Sequence, residues 1–324
     1  MAEPTHWAFP TELQPRASDL SFDLARTLDS VVLLRAEIPD DAFTAPILGT
    51  ERIGNGVVIG DDGLILTIGY LITEAETIWL TTNNGAVVAG HPLAYDFATG
   101  FGLVTPLGRF PAPALPLGSS KDVTVDDEVF VVGHGGRAHA LRAKLAAKRE
   151  FAGYWEYLLD EALYSTPPHP QWGGAALVDS KGLLLGIGSL LTEEIFEGKS
   201  VQGNMFVPID LLSPIMNDLL TRGASAMPPR PWLGMYTAAA KGVVVVGGLV
   251  QGGPADSAGI RLGDTVQAVG DEAVGDIAAL FRKVWRVGPA GSEIPLRIAR
   301  ESEVLEVTVH SADRADFLKK PSLQ

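Results

Sequence analysis

The feature that most limits what this chain can fold into is the alternation of short apolar runs with tight-turn signals. Asp62-Gly63 and Asn84-Gly85 stand between such runs. These dipeptides are the strongest local indications of β-hairpins, because both residues accept the positive φ angles of hairpin turns. The sequence therefore predicts an antiparallel barrel or sandwich rather than a bundle of long helices. The runs lie at residues 30–34, 56–59, 64–67, 77–81, 129–132 and 183–187.

Composition excludes several kinds of site and partner. The chain has no cysteine, so disulfides, a cysteine nucleophile, zinc ribbons and iron–sulfur clusters are ruled out. A formal net charge of −14 makes nucleic acid and anionic membranes poor partners, since both carry phosphate. No apolar run approaches the length of a bilayer-spanning helix, so no membrane span is expected. The spacing of His134 and His139 is unspecific for a metal, and we expect no cofactor.

The first residues bear on the compartment. Met1-Ala2-Glu3-Pro4 has neither the basic nor the apolar segment of a signal peptide. As written, the sequence predicts a cytoplasmic protein, or a periplasmic one if a signal peptide has been removed.

A Pro- and Ala-rich stretch at residues 222–231 predicts a linker between two domains. Acidic and basic side chains are equal in number after residue 229, so the net negative charge belongs to the residues before the boundary. We predict an N-terminal segment with a short helix at residues 1–30, a main domain at 31–221, a second domain at 232–312 and a tail at 313–324.

The second domain includes one clear helix signal. Asp276 is a predicted N-cap, and Gly288-Pro289 ends the helix. Between them, apolar residues follow the i, i+3, i+4, i+7 spacing of a buried helix face. They are Ile277, Leu280, Phe281 and Val284.

Short motifs follow one another in an order that one protein family shares. In the first domain they are Gly54-Asn55-Gly56-Val57-Val58-Ile59, Asp62-Gly63-Leu64-Ile65-Leu66-Thr67, Leu115-Pro116-Leu117-Gly118-Ser119-Ser120 and Phe206-Val207-Pro208-Ile209-Asp210. In the second they are Trp232-Leu233-Gly234-Met235, Gly253-Pro254-Ala255-Asp256-Ser257-Ala258-Gly259-Ile260 and Gly263-Asp264. Over roughly residues 28–310 the chain therefore resembles the HtrA (Deg) family of trypsin-like serine proteases. The resemblance implies a mainly β fold, in which a trypsin-like double six-stranded β-barrel is followed by an α+β PDZ domain.

Within that resemblance, the catalytic positions hold side chains that are unsuited to acyl transfer. Tyr70 stands where the family has its catalytic histidine, Gly100 where it has the aspartate, and Trp172 where it has the nucleophilic serine. Tryptophan has no nucleophilic oxygen, tyrosine with a pKa of ~10 is a poor base, and glycine cannot orient a base. Pro170 falls on an oxyanion-hole position and has no N–H to donate. We therefore expect a catalytically inactive homologue, a pseudoprotease, and not an enzyme.

The resemblance implies one further site, in the PDZ domain. There the backbone N–H groups of Leu233, Gly234 and Met235 would bind a peptide's terminal carboxylate, and Phe281 and Val284 would line the pocket for its last side chain. The expected partners are C-terminal or extended peptide segments of proteins. The expected role is that of a scaffold, adaptor or chaperone-like factor.

Two other functions and an assembly stay open at this point. The first alternative is that the chain is an active serine-type endopeptidase or other hydrolase with relocated catalytic residues. It alternatively binds a ligand in the former active-site cleft, which Tyr70, Trp172 and an aromatic-rich stretch would line. The family also implies a homo-oligomer, a trimer through aromatic residues of the N-terminal segment, or assembly with an active relative. The stretch contains Phe151, Tyr154, Trp155, Tyr157 and Tyr164, and the N-terminal aromatics are Trp7, Phe9 and Phe22.

Overall fold

The computed structural model describes residues 7–196, 199–240 and 242–320. The predicted segment 1–30 and tail 313–324 include residues 1–6 and 321–324, which lie outside the described residues. The chain divides into two compact units. The first contains residues 1–149, 161–226 and 319–324, and the second contains residues 150–160 and 227–318.

The first unit begins with a six-stranded closed barrel in the order β1-β2-β3-β6-β5-β4. All neighbouring strands are antiparallel, as the turn signals predict, and Gly63 adopts a φ of 85° in one of these turns. The barrel interior is apolar and closed to solvent, with Leu34, Ile65 and Phe101 fully buried. The strands are β1 (Val31–Glu37), β2 (Glu51–Val58), β3 (Ile65–Ile68), β4 (Thr77–Thr81), β5 (Val87–Tyr95) and β6 (Phe101–Pro106).

A second closed barrel follows, in the order β10-β11-β12-β9-β8-β7. Its core includes the fully buried Phe130, Leu141 and Phe206. The strands are β7 (Glu128–Val132), β8 (Ala140–Gly153), β9 (Tyr157–Thr166), β10 (Ala176–Val178), β11 (Leu184–Phe196) and β12 (Lys199–Pro208).

The helices of the first unit are short. They are α1 (Leu24–Asp29), α2 (Ala45–Leu48) and α3 (Met216–Arg222), with 3-10 turns between other elements. The short helix predicted within residues 1–30 corresponds to α1. It begins at Leu24 because the side chain of Asp23 accepts a hydrogen bond from Arg26 N (3.1 Å) and caps it there.

The second unit is a five-stranded sheet in the order β13-β14-β15-β17-β18, with the short strand β16 beside β15. Asp276 Oδ1 accepts a hydrogen bond from Ala279 N (2.7 Å) and caps α5 as predicted, and Phe281 and Val284 lie on its buried face. The elements are β13 (Met235–Ala240), β14 (Val243–Leu249), α4 (Pro254–Ser257), β15 (Thr265–Val269), β16 (Glu272–Ala273), α5 (Ile277–Val287), β17 (Glu293–Arg300) and β18 (Glu303–His310).

Residues 150–160 depart from the predicted boundaries. The sequence places them in the main domain at 31–221, but they form the tip of the β8–β9 hairpin and belong to the second unit. The reason is packing, since Leu158 is buried in the core of that unit together with Phe281 and Val284.

Among the residues described, none of the helices is long and apolar enough to cross a membrane.

Candidate functional site

Tyr70 lies in a 3-10 turn, Gly69–Leu71, that directly follows β3. Its hydroxyl donates a hydrogen bond to the backbone carbonyl of Ser189 (2.9 Å). Burial raises the pKa of this phenol well above its ordinary value, and a hydrogen bond from the side chain of Trp172 opposes the increase only in part. Tyr70 is therefore a neutral hydrogen-bonding group and does not supply a base.

Gly100 lies beside the same turn. Its carbonyl accepts a hydrogen bond from Gly69 N (2.7 Å), and its own φ of 82° suits glycine. The three sequence-predicted triad positions are thus brought together: the turn of Tyr70 contacts Gly100 through the backbone and Trp172 through the side chain. The arrangement is one of hydrogen bonds and packing, with no imidazole or carboxylate at these three positions.

The loop from Pro170 to Gly173 is fixed by Asn55, which is buried in β2. Asn55 Nδ2 donates to the carbonyls of Gln171 (2.9 Å) and Gly173 (3.1 Å), and its backbone N–H also donates to Gly173 O (2.8 Å). Its Oδ1 accepts a hydrogen bond from His134 N (2.8 Å). Asn55 appears in the family motif, but sequence reasoning did not identify its role in holding this loop.

The loop, Tyr70 and β2 surround an open pocket of about 500 Å³. Arg52 forms one wall, and its guanidinium donates to the carbonyls of Tyr70 (2.7 Å) and Thr73 (2.9 Å) and to Thr44 Oγ1 (2.7 Å). Burial lowers the pKa of Arg52 to about 10, so it stays protonated at neutral pH. Sequence reasoning missed Arg52, since nothing in its local pattern distinguishes it from a surface arginine.

The prediction of an aromatic-lined cleft is wrong for most of the aromatic stretch. Tyr70 and Trp172 line the pocket, whereas residues 151–157 lie in the second unit, outside this site. Tyr164 lies on β9 with the Arg149 guanidinium 4.5 Å from its ring centre. Most of the stretch forms the tip of the β8–β9 hairpin, so its rings lie with that tip and not beside the loop that contains Trp172.

His169, three residues before Trp172, is fully engaged in hydrogen bonds. Its Nδ1 accepts from Gln171 N (3.0 Å), so its Nε2 carries the proton and donates to His139 O (2.9 Å). Burial lowers its pKa to about 4. His169 is therefore neutral, with both ring nitrogens occupied.

Two of the N-terminal aromatics proposed for oligomer contacts pack beside it. Trp7 and Phe9 contact the His169 ring at centroid distances of 5.5 Å and 5.1 Å, while Phe22 packs on Phe130. All three rings thus contact the first unit of their own chain.

The second candidate site is the loop Leu233-Gly234-Met235, which precedes β13 in the second unit. All three backbone N–H groups point at one carboxylate, that of Glu156. The distances are 3.0 Å from Leu233 N to Oε2, and 2.8 Å and 3.1 Å from Gly234 N and Met235 N to Oε1. Gly234 has a φ of 72°, which a side chain would strain. The sequence-predicted loop is therefore built as a carboxylate-binding site.

The apolar residues predicted for this site lie next to the loop. Phe281 and Val284 are buried in one cluster with Leu233, Met235 and Leu158. Sequence reasoning missed Glu156 and Leu158. The only available signal was an acidic residue in the middle of an aromatic run, which by itself indicates no site.

No group of three or more histidine, aspartate or glutamate side chains in the described part of the chain is arranged to hold a metal ion.

In comparisons with known proteins, two segments of the chain match family models. Residues 54–187 match the model of the trypsin-like peptidase domain, and residues 231–310 match that of the PDZ domain. The chain is 25% identical over 282 residues to a probable periplasmic serine endoprotease DegP-like of Halomonas elongata, covering 83% of this chain and 58% of that protein. It is 25% identical over 281 residues to serine endoprotease DegS of Salmonella typhimurium, covering 81% of this chain and 78% of that protein. The chain thus spans less than two thirds of the Halomonas relative.

Solved structures support the same fold. HtrA-type protease AlgW with tripeptide aligns with a TM-score of 0.53 at 18% identity, over 93% of this chain and 99% of that one. The serine endoprotease from Yersinia pestis aligns with a TM-score of 0.53 at 20% identity, over 91% of this chain and 99% of that one. The mainly β fold with trypsin-like and PDZ domains is therefore confirmed.

The comparisons also contradict one prediction. The sequence led us to expect that the chain is not an enzyme, but relatives matched over about four fifths of its length are named serine endoproteases or serine proteases. That expectation is withdrawn. Tyr70, Gly100 and Trp172 imply only that a reaction would use groups at other positions.

Proposed function

We propose that the chain is an HtrA (Deg)-type protein, in which a trypsin-like peptidase domain is followed by a PDZ domain, and that the PDZ domain binds C-terminal or extended peptide segments of other proteins. Such binding is the property that a scaffold, an adaptor or a chaperone-like factor needs. It is equally the property that a protease needs in order to recruit its substrate.

The observation that carries the proposal is the convergence of three backbone N–H groups on one carboxylate. Leu233, Gly234 and Met235 donate to the same group over 2.8–3.2 Å. Hydrogen bonds to an ionised acceptor are roughly twice as strong as neutral ones, and backbone donors are held in place without loss of side-chain entropy. A peptide's terminal carboxylate meets the same donors.

Two neighbouring features fit the rest of a peptide. Strand β13 begins within the loop and pairs with β14 along one edge. On its other edge Thr237 N donates to the carbonyl of Tyr154, as it would to the backbone of an added peptide strand. Phe281 and Val284 on α5 give the apolar surface that a terminal side chain needs. The site therefore favours a peptide whose last residue is apolar and has a free carboxylate.

A substitution at Gly234 tests the proposal. In Gly234→Val the loop cannot keep its φ of 72° without strain, and the added Cβ lies 3.3 Å from the Trp232 ring. Gly263→Val is the matched control, because Gly263 also has a positive φ (90°) but a Cβ there meets no atom within 4 Å. Calorimetry with peptides bearing a free C-terminal carboxylate should show binding to the wild type and the control and none to Gly234→Val. Equal affinity of all three would refute this site.

A second candidate function is peptide-bond hydrolysis of the serine type, which the names of the relatives favour. Trp172 offers no nucleophilic oxygen, and the Tyr70 hydroxyl is already donated to Ser189 O. The nucleophile and base would therefore come from other residues. A fluorophosphonate label followed by mass spectrometry tests this directly: modification of one serine, together with casein cleavage, supports hydrolysis and identifies the nucleophile. No modification and no cleavage would remove this candidate.

A further inference from the structure

The carboxylate that fills the loop Leu233-Gly234-Met235 comes from this chain itself. Glu156 lies in the turn of the β8–β9 hairpin, and residues 150–160 of that hairpin belong to the second unit. Glu156 has a φ of 61°, in the left-handed region that residues other than glycine rarely adopt. Such a conformation persists where surrounding contacts hold it, and here the contacts are the three backbone N–H donors.

The backbone of the same turn occupies the open edge of β13. Thr237 N donates a hydrogen bond to the carbonyl of Tyr154 (2.9 Å). Thr237 lies two residues after Met235, as Tyr154 lies two residues before Glu156. The turn therefore makes one backbone hydrogen bond to the open edge of β13, at the same sequence distance from the loop contact in both segments, while its carboxylate is bound by the loop.

An apolar side chain of the hairpin fills the remaining part of the site. Leu158 is 7% exposed and is buried in the cluster that contains Leu233, Met235, Phe281 and Val284. These are the residues that the sequence predicts for the pocket of a peptide's last side chain. Burying this apolar side chain there stabilises the attachment of the hairpin to the site.

Charged groups add less to the attachment. Arg282 on α5 lies 2.6 Å from Glu150 and 2.5 Å from Asp160, on the two strands of the hairpin. All three side chains are more than two fifths exposed, and exposed ion pairs contribute little because water screens them. The hairpin is therefore attached to the site mainly through the Glu156 carboxylate, the Tyr154 carbonyl and the Leu158 side chain.

We propose that the hairpin segment 154–158 is a built-in ligand of the PDZ site, and that an external peptide must displace it to bind. The inference rests on the proposed peptide-binding function, because it assigns the same three features to an internal occupant: Glu156 replaces the terminal carboxylate, Tyr154 the hydrogen-bonding backbone, and Leu158 the terminal side chain. The site is occupied by its own chain. Its apparent affinity for other chains therefore depends on the fraction of molecules in which the hairpin has left the site.

The expected effect follows from competition. If the hairpin leaves the site open in about 1–10% of molecules, the apparent affinity for an external peptide falls about 10- to 100-fold below the intrinsic one. Glu156→Ala removes the internal carboxylate and leaves the loop intact. The variant should therefore bind external C termini at least about 10-fold more tightly than the wild type.

The test uses the full chain and a defined probe. The probe is a fluorescein-labelled octapeptide with the sequence of residues 151–158 and the change Glu156→Gln, so the only carboxylate of the peptide chain is that of its C-terminal leucine. Its C-terminally amidated form, which has no such carboxylate, is the peptide control. Glu161→Ala is the matched variant, because Glu161 lies on the same hairpin and contacts Lys148 rather than the loop. Anisotropy titrations should give at least a 10-fold lower Kd for Glu156→Ala than for the wild type and Glu161→Ala, with the free carboxylate only.

Hydrogen exchange supplies a second measurement that needs no added peptide. The amides of Leu233, Gly234 and Met235 should be protected in the wild type and should lose protection in Glu156→Ala. Equal Kd values in wild type and Glu156→Ala, with unchanged protection, would overturn the built-in ligand while leaving peptide binding intact. Loss of protection without binding of the probe by any variant would instead overturn the proposed function and retain the hairpin as the loop's occupant.

Discussion

The carboxylate of Glu156 lies 2.8 Å from the backbone nitrogen of Gly234, although 78 positions separate the two residues in the chain. The donor is the backbone N–H of Gly234, whose φ of 72° lies in the left-handed region that favours glycine. The acceptor is the side chain of Glu156, whose backbone also has a positive φ, 61°. Both residues of this hydrogen bond therefore have a left-handed backbone conformation. This relationship is what makes the PDZ loop a carboxylate site and at the same time occupies it.

We predict that the stability of the second unit depends on pH through Glu156. Burial raises the pKa of this carboxyl to about 7, while the three backbone donors and Arg314 oppose the increase. Since the proton is bound more tightly in the folded than in the unfolded chain, this contribution is complete below about pH 4.5 and is lost as pH rises through about 7.

Urea unfolding of the wild type and Glu156→Gln from pH 5 to pH 8 measures this dependence. Glu156→Gln keeps the other ionisable groups around this position, which are Arg314, Tyr236 and Tyr154, so the difference between the two curves reports the Glu156 carboxyl. The free energy of unfolding should fall with pH more steeply in the wild type than in Glu156→Gln. Parallel curves would mean that the carboxyl has an ordinary pKa.

Leu158→Ala should destabilise the second unit by about 2–5 kcal/mol, because it removes a buried side chain from the cluster around Phe281 and leaves a cavity. Leu262→Ala, at a position 72% exposed in the same unit, should change the free energy of unfolding by less than about 0.5 kcal/mol. Urea denaturation followed by tryptophan fluorescence separates the two. A similar small effect at both positions would show that Leu158 is not part of the core.

Tyr70→Phe should cost about 1–3 kcal/mol of unfolding free energy, since the change leaves the carbonyl of Ser189 without the hydroxyl that donates to it. Tyr154→Phe is the control, because the Tyr154 side chain is 55% exposed. Thermal unfolding of both variants tests the difference. If Tyr70→Phe were as stable as the control, the hydroxyl would not be the buried hydrogen-bond donor described above.

Asn55→Ala should be more damaging than Tyr70→Phe, at about 2 kcal/mol or more, because Asn55 joins the carbonyls of Gln171 and Gly173 to His134 N. We also expect faster proteolysis in the loop around Trp172, which these bonds hold. Limited digestion with chymotrypsin, which can cut after Trp172, measures this, with Asn217→Ala on α3 as the control. Asn83→Ala is a less suitable control, because Asn83 also contacts Leu28 O and Gly135 N. Equal cleavage of Asn55→Ala and Asn217→Ala would argue against a positioning role for Asn55.

Local features of the fold were predictable because they depend on neighbouring residues. Asp179 closes the turn between β10 and β11 by accepting hydrogen bonds from Lys181 N and Leu183 N, both at 2.8 Å. Asp276 caps α5 in the same way. In each case the donor and acceptor lie within four residues of one another, so sequence spacing contains the information.

The occupant of the PDZ loop was not predictable for the opposite reason. Glu156 contacts backbone N–H groups, which every residue except proline has, so no side-chain pattern marks the pair. The aromatic residues beside it suggested instead a lining for the former active site. Their place in the second unit is decided by Leu158, whose burial depends on contacts more than 70 residues away.

The most direct test of the account is whether the amides of Leu233, Gly234 and Met235 bind a carboxylate supplied by another chain. In ¹⁵N-labelled Glu156→Ala, their resonances can be followed while the octapeptide of residues 151–158 with the change Glu156→Gln is added in its free-carboxylate and amidated forms. We predict saturable shifts of these three amides with the free carboxylate and little change with the amide. Resonances that do not move with either peptide, or that move equally with both, would contradict it.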